Sequence, residues 1–120
     1  MKYVIICEAK KITLSENAKL ANGFFDRLLG LMFKQNMNDF DSMLFMYSMS
    51  IHTCFMKFNL DIIFLDASNN IIKIISNMKP WRMTGIYLKS SKVIEFKAGT
   101  IDPRISIGDK LTIKEQQCLN

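Results

Sequence analysis

Histidine and tryptophan occur once each, proline twice and glycine five times in the 120 residues. A lone histidine, His52, excludes a self-contained multi-histidine metal site. The three cysteines, Cys7, Cys54 and Cys118, form no C-x-x-C pair, so zinc-ribbon and thioredoxin-type chemistry lack their ligands. Their odd number and wide spacing argue against a disulfide framework and for free thiols in a cytoplasmic protein. Long apolar runs are absent too. Tyr3 to Cys7 is shorter than the roughly 7–15 residues of a secretory h-region. Ile62 to Leu65 falls far below the roughly 18 residues of a membrane span. Neither G-x-x-x-x-G-K nor G-x-G-x-x-G occurs, which removes the usual phosphate-cradling loops.

Apolar residues make up 49% of the chain and charged residues 22%, the balance of an ordinary globular domain. No repeat, linker or low-complexity tract divides the chain, so residues 1–120 read as one domain. Sixteen basic against eleven acidic residues give a net charge of +5. Much of that excess lies in residues 79–104, where Lys79, Arg82, Lys89, Lys92, Lys97 and Arg104 face only Glu95 and Asp102.

Short runs rich in β-branched and aromatic residues predict strands at Tyr3–Cys7, Met43–Met46, Thr53–Lys57, Asp61–Leu65, Ile71–Ile75, Val93–Phe96 and Leu111–Ile113. Ile12 to Leu14 extends or pairs with the first of these. Asp66-Ala67-Ser68-Asn69-Asn70 is turn chemistry between two apolar runs, a hairpin signal. The run from Ile62 to Leu65 does not alternate with polar residues, so both its faces are covered and it belongs at the centre of the sheet. Phe24, Leu28, Leu31 and Met32 recur at helical spacing and predict one main helix over residues 23–33. Nine methionines read chiefly as core filling. The expected class is α+β, mostly β: a compact antiparallel or mixed sheet, curling towards a barrel, with that single helix.

Several motifs in order resemble the DUF192 family, also called UPF0127. Arg27-Leu28-Leu29-Gly30-Leu31-Met32 is similar to its R-x-x-G-L-M opening, and Met43-Leu44-Phe45 to its M-L-F element. Ser50-Ile51-His52-Thr53, with Met56-Lys57-Phe58, resembles S-I-H-T-x-x-M-[RK]-F. Leu60 to Asp66, Pro80-Trp81-Arg82, Val93-Ile94-Glu95, Ala98-Gly99-Thr100 and Gly108-Asp109 follow in sequence. Ser42, Cys54 and Asn59 depart from the usual residues. The resemblance implies a compact, mostly β α+β domain with no agreed activity, substrate or cofactor.

The residues that could carry chemistry are few. His52 is the one side chain whose ordinary pKa lies near neutrality. On a strand Cys54 would share its face, and Asp61 or Asp66 could orient it. Asp61 enters an apolar strand and so needs a partner, for which Arg27 is the first choice. Trp81 beside Arg82 on a loop is a common binding anchor. Arg27, His52, Lys57, Asp61, Trp81 and Arg82 are therefore the candidate binding set, with no metal and no cofactor implied. The leading expectation is a small non-enzymatic binding or accessory domain for an acidic protein or an anionic small ligand. Nucleic acid is disfavoured, because no known recognition motif accompanies the basic segment. The alternative is a small hydrolase or transferase using His52 with Asp61 or Cys54.

Overall fold

The structure, a computed structural model, describes residues 2–21, 40–54 and 56–116. Among these residues seven strands form one sheet: β1 (Lys2–Cys7), β2 (Ile12–Ala21), β3 (Ser42–Met46), β4 (Leu60–Leu65), β5 (Ile71–Met78), β6 (Lys92–Lys97) and β7 (Thr112–Glu115). Their spatial order is β5-β4-β6-β3-β2-β1-β7. Every pairing is antiparallel except β2 with β3, which is parallel.

Two expectations about the fold class need correction. The α+β assignment does not hold, because the only helical element among the described residues is a single 3-10 turn, Glu8–Lys10. The helix expected over residues 23–33 lies outside the described residues. The sheet is also open and not a barrel. Among the described residues β5 pairs only with β4, and β7 only with β1. The two edges meet at one isolated bridge, Asn70 to Lys110, with Ile71 N donating to Asp109 O at 2.8 Å and Leu111 N to Asn69 O at 2.9 Å.

β4 is buried at all six positions and alternates between two apolar clusters. Leu60, Ile62 and Phe64 join Met43, Val93, Ile51 and Met56 on one face. Ile63 and Leu65 join Ile5, Leu44, Ile94, Phe96, Ile105 and Leu111 on the other. Two covered faces explain the unbroken apolar run, since a strand with no solvent side has no reason to alternate. In the strand order β4 lies one place in from the edge, not at the middle.

β2 is only partly visible in the sequence because two irregularities interrupt its register with β1, between Tyr3 and Ile5 and between Ile5 and Ile6. Each extra residue resets the alternation, so the buried positions become Ile12, Ser15, Ala18 and Ala21, a spacing of three. Asp41 braces the irregular stretch, accepting from Glu16 N at 2.9 Å, Asn17 N at 3.2 Å and the Ser15 hydroxyl. Thr53 to Lys57, expected as a strand, contains instead a turn closed by Met56 N donating to Thr53 O at 3.2 Å. Among the described residues no helix is long and apolar enough to cross a membrane.

Candidate functional site

The segments before β4 and before β6 are zipped into an irregular ribbon over the face that carries Phe64 and Met43. Backbone bonds run from Thr53 N to Arg82 O (2.8 Å), Trp81 N to Thr53 O (3.0 Å), Thr84 N to Ile51 O (2.9 Å) and Tyr87 N to Met49 O (2.9 Å). His52 and Met83 pair in an isolated antiparallel bridge. Short hydroxyl side chains supply what a regular ladder would otherwise provide. Thr53, fully buried, donates from Oγ1 to Lys79 O at 2.7 Å and accepts from Arg82 N at 2.9 Å. Thr84 Oγ1 accepts from Ile51 N at 3.0 Å, and Ser90 Oγ donates to Ser48 O at 2.7 Å. The underside of the ribbon is anchored by Ile51, Met56 and Tyr87; the Tyr87 ring lies 4.6 Å from that of Phe64, centroid to centroid.

Its outer side is unusual. Of the large apolar side chains left exposed among the described residues, Met46, Tyr47, Met49, Trp81, Met83, Ile86 and Leu88 all sit on these two segments, and Ile107 alone lies elsewhere. Residues 46–59 and 79–92 also contain Lys57, Lys79, Arg82, Lys89 and Lys92 and no acidic residue. The two aromatic residues are held in left-handed backbone, Tyr47 at φ 56° and Trp81 at φ 64°. That region is costly for a side chain with a Cβ, by about 1–2 kcal/mol, and glycine or asparagine would fill it more cheaply. Tyr47 is 88% exposed and Trp81 57% exposed, so packing within the domain returns little for the strain.

The structure divides the residues proposed from the sequence. His52, Lys57, Trp81 and Arg82 lie on the ribbon segments: His52 half-buried, the other three exposed. Arg82 Nη1 donates to Trp81 O at 3.4 Å. Asp61 does not join them. Alternation along β4 places it with Ile63 and Leu65, on the face away from the ribbon. Its two oxygens accept from Asn77 N at 2.7 Å and Gly99 N at 2.9 Å, so the carboxylate ties β5 and the turn after β6 to β4. Arg27, its expected partner, lies outside the described residues. Cys54 is in a turn, so the shared strand face that would set it beside His52 is missing. Cys7 and Cys54 are both free thiols.

Among the described residues no group of three or more His, Cys, Asp or Glu is placed to hold a metal ion. Gly108-Asp109 is a turn, with Gly108 at φ 96°. The Asp109 carboxylate accepts from Lys10 Nζ at 2.7 Å and Ser106 N at 2.9 Å, and the lysine contact holds its pKa below the usual value. Sequence reasoning missed Thr53 and Thr84, whose signal was a polar residue inside an otherwise apolar stretch, and Ser90, which leaves no such signal between Lys89 and Lys92. It also missed Glu95, fully buried and set between Met43 and Ile62 in the ladders of β6.

The fold and this ribbon define a small, mostly β domain whose paired loop segments leave large apolar side chains exposed. Residues 5–113 match the profile of DUF192, "Uncharacterized ACR". The chain belongs to this family, whose function is uncharacterised. It is 31% identical over 117 residues to the UPF0127 protein of Pyrococcus horikoshii, covering 90% of this chain and 96% of that one. It is 30% identical over 115 residues to the UPF0127 protein of Thermococcus sibiricus, covering 90% and 73%. A crystal structure of a protein of unknown function from Novosphingobium aromaticivorans matches with a TM-score of 0.73 at 22% identity, over 93% of this chain and 84% of that one. That of a "putative transcription regulator" from Sinorhizobium meliloti matches with a TM-score of 0.72 at 25% identity, over 92% and 91%.

Proposed function

We propose that this protein is a non-catalytic binding domain that works through the ribbon, taking a partner protein segment with acidic groups around an apolar anchor. One observation carries the reading. Six large apolar side chains (Tyr47, Met49, Trp81, Met83, Ile86 and Leu88) and four cationic residues (Lys57, Lys79, Arg82 and Lys89) are gathered on two paired segments that hold no acidic residue, while Met46 and Lys92 turn to the other face of the sheet. Exposed apolar surface of this kind is retained where it is covered by something, and aromatic and arginine side chains are the usual anchors of such contacts. The basic rim selects acidic partners and steers them. The free thiols Cys7 and Cys54 fit a cytoplasmic setting.

The hydrolase or transferase alternative is not supported by Asp61, which is committed to two backbone amides. Nucleic-acid binding has the description of the Sinorhizobium meliloti structure and the basic residues in its favour. A phosphate backbone, however, gives no reason to expose Met83, Ile86 and Leu88.

A photo-crosslinking residue placed at Met83, on the ribbon, and at Lys114, in β7, tests the reading inside cells. Adducts formed from Met83, mapping to acidic segments and abolished by Arg82→Glu with Lys89→Glu, support it. Equal adducts from both positions, or adducts indifferent to the charge reversal, refute it.

A further inference from the structure

The ribbon has an edge that its own pairing leaves unused. Thr53 N donates to Arg82 O and Thr84 N to Ile51 O, on either side of the bridge between His52 and Met83. This is the pattern of a non-hydrogen-bonded antiparallel pair, whose two residues turn their backbone N–H and C=O away from one another. Met83 N, Met83 O and Gly85 N make no hydrogen bond to any described residue. Arg82, Met83, Gly85 and Ile86 are all exposed, Met83 at 78%. The free side of this segment therefore offers two donors and an acceptor in a row. Nothing within the domain calls for a glycine at position 85. Only Gly99 and Gly108 have positive φ among the described glycines, and a Cβ added at Gly85 would meet no atom within 4 Å. A bare residue beside an open edge leaves room for a second backbone to come close.

We propose that the partner segment docks as an added strand along residues 83–85, an extended peptide in which apolar and acidic residues alternate. This rests on the ribbon reading and gives the form that its partner takes. The partner residue opposite Met83 exchanges both backbone bonds with it, and the one two places along accepts from Gly85 N. Directly opposed residues share a face, so these two are the apolar ones. The first lies against the Met83 side chain, and the second is an aromatic residue whose ring covers the bare Gly85. Residues between and beside them fall on the other face, the side of Arg82, where a carboxylate meets the guanidinium. Lys57, Lys79 and Lys89, with no acidic residue on either ribbon segment, favour the same charge along the rest of the strand. An open strand edge pairs readily with other chains, and the cationic side chains restrict this one to acidic strands.

NMR titration of the intact protein tests it with three acetylated heptapeptides: Glu-Phe-Glu-Val-Glu-Phe-Glu, the same peptide N-methylated at its three apolar residues, and the same peptide N-methylated at three of its glutamates. The unmodified peptide should move the Met83 and Gly85 amide protons downfield in a saturable way. Methylation at the apolar residues, whose N–H groups face the ribbon edge, should weaken binding at least about tenfold, the effect of one hydrogen bond withheld. Methylation at the glutamates, whose N–H groups face solvent, should leave the affinity unchanged. Equal binding of all three peptides, with shifts at Trp81 and Leu88, would overturn strand addition and leave the ribbon reading standing. An equal loss from both methylations would overturn it too. No saturable shift at any ribbon signal up to about 10 mM peptide, a range that still detects a Kd of about 1 mM, would overturn strand addition and the ribbon reading together.

Discussion

The left-handed backbone at Trp81 makes a prediction whose sign is unusual. Alanine and glycine both remove the indole, so Trp81→Ala and Trp81→Gly forfeit the same ring packing, and their difference isolates the backbone. In an ordinary exposed loop glycine is the less stable of the two by about 0.5–1 kcal/mol, because its unfolded chain is freer. At φ 64° the Cβ of alanine is penalised by about 1–2 kcal/mol, whereas glycine is not. The net expectation is that Trp81→Gly is more stable than Trp81→Ala by about 0.5–1 kcal/mol. Tyr47, at φ 56° and 88% exposed, should behave in the same way. Urea denaturation followed by circular dichroism reads the difference. With a slope of about 1–2 kcal/mol per molar, the midpoints should differ by about 0.5 M, with the slope itself unchanged. Alanine equal to or more stable than glycine at both positions would refute the claim that these aromatics are displayed against a backbone penalty.

Asp61→Asn should destabilise the domain by about 3 kcal/mol, since an amide cannot accept from both Asn77 N and Gly99 N as the carboxylate does; a loss below about 0.5 kcal/mol in urea unfolding would show that the two bonds contribute little. Lys10→Met removes bonds to Arg104 O at 2.6 Å and Asp109 Oδ2 at 2.7 Å, and should cost about 1 kcal/mol, with a double-mutant cycle against Asp109→Asn showing coupling. Acid should act through three carboxyls held low in the fold: Asp102, lowered to about 2 by its hydrogen bonds from Arg104, Asp66, lowered by the Asn70 amide, and Asp109, lowered by Lys10. Folded pKa values below the unfolded 3.8 mean that the folded state binds fewer protons. Their stabilisation is therefore complete above that pH and is lost as pH falls through about 2. Thermal midpoints measured between pH 5 and pH 2 should fall over that window, and Asp102→Asn should flatten part of the decline.

What could be read from the chain was what is local. The hairpin from Asp61 to Ile75 declares itself because two apolar runs flank a stretch of turn residues, and Asp66 closes that turn by accepting from Ser68 N and Asn70 N. β2 was legible only at its start, since its irregular register replaces alternation by a spacing of three. The ribbon left no periodic trace because its pairing depends on hydroxyls such as Thr53 and Thr84 meeting backbone thirty residues away. Trp81, Arg82 and His52 were visible as candidates by residue type. Met83, Ile86 and Leu88 were not, for an apolar side chain in a sequence looks the same whether it faces the core or water. Methionine illustrates this: Met43, Met56 and Met78 are buried, while Met46, Met49 and Met83 are exposed. An acid entering an apolar strand needs a partner, and among the described residues Asn77 N and Gly99 N donate to Asp61.

The ribbon's role as a binding surface is tested most directly by calorimetric titration of the segment captured from Met83 against the wild type and against Trp81→Ala with Leu88→Ala. Removing two anchors should weaken binding by at least about thirtyfold, as the loss of central apolar contacts does elsewhere, and added salt should weaken what remains. Affinity unchanged in the folded double variant would contradict the account.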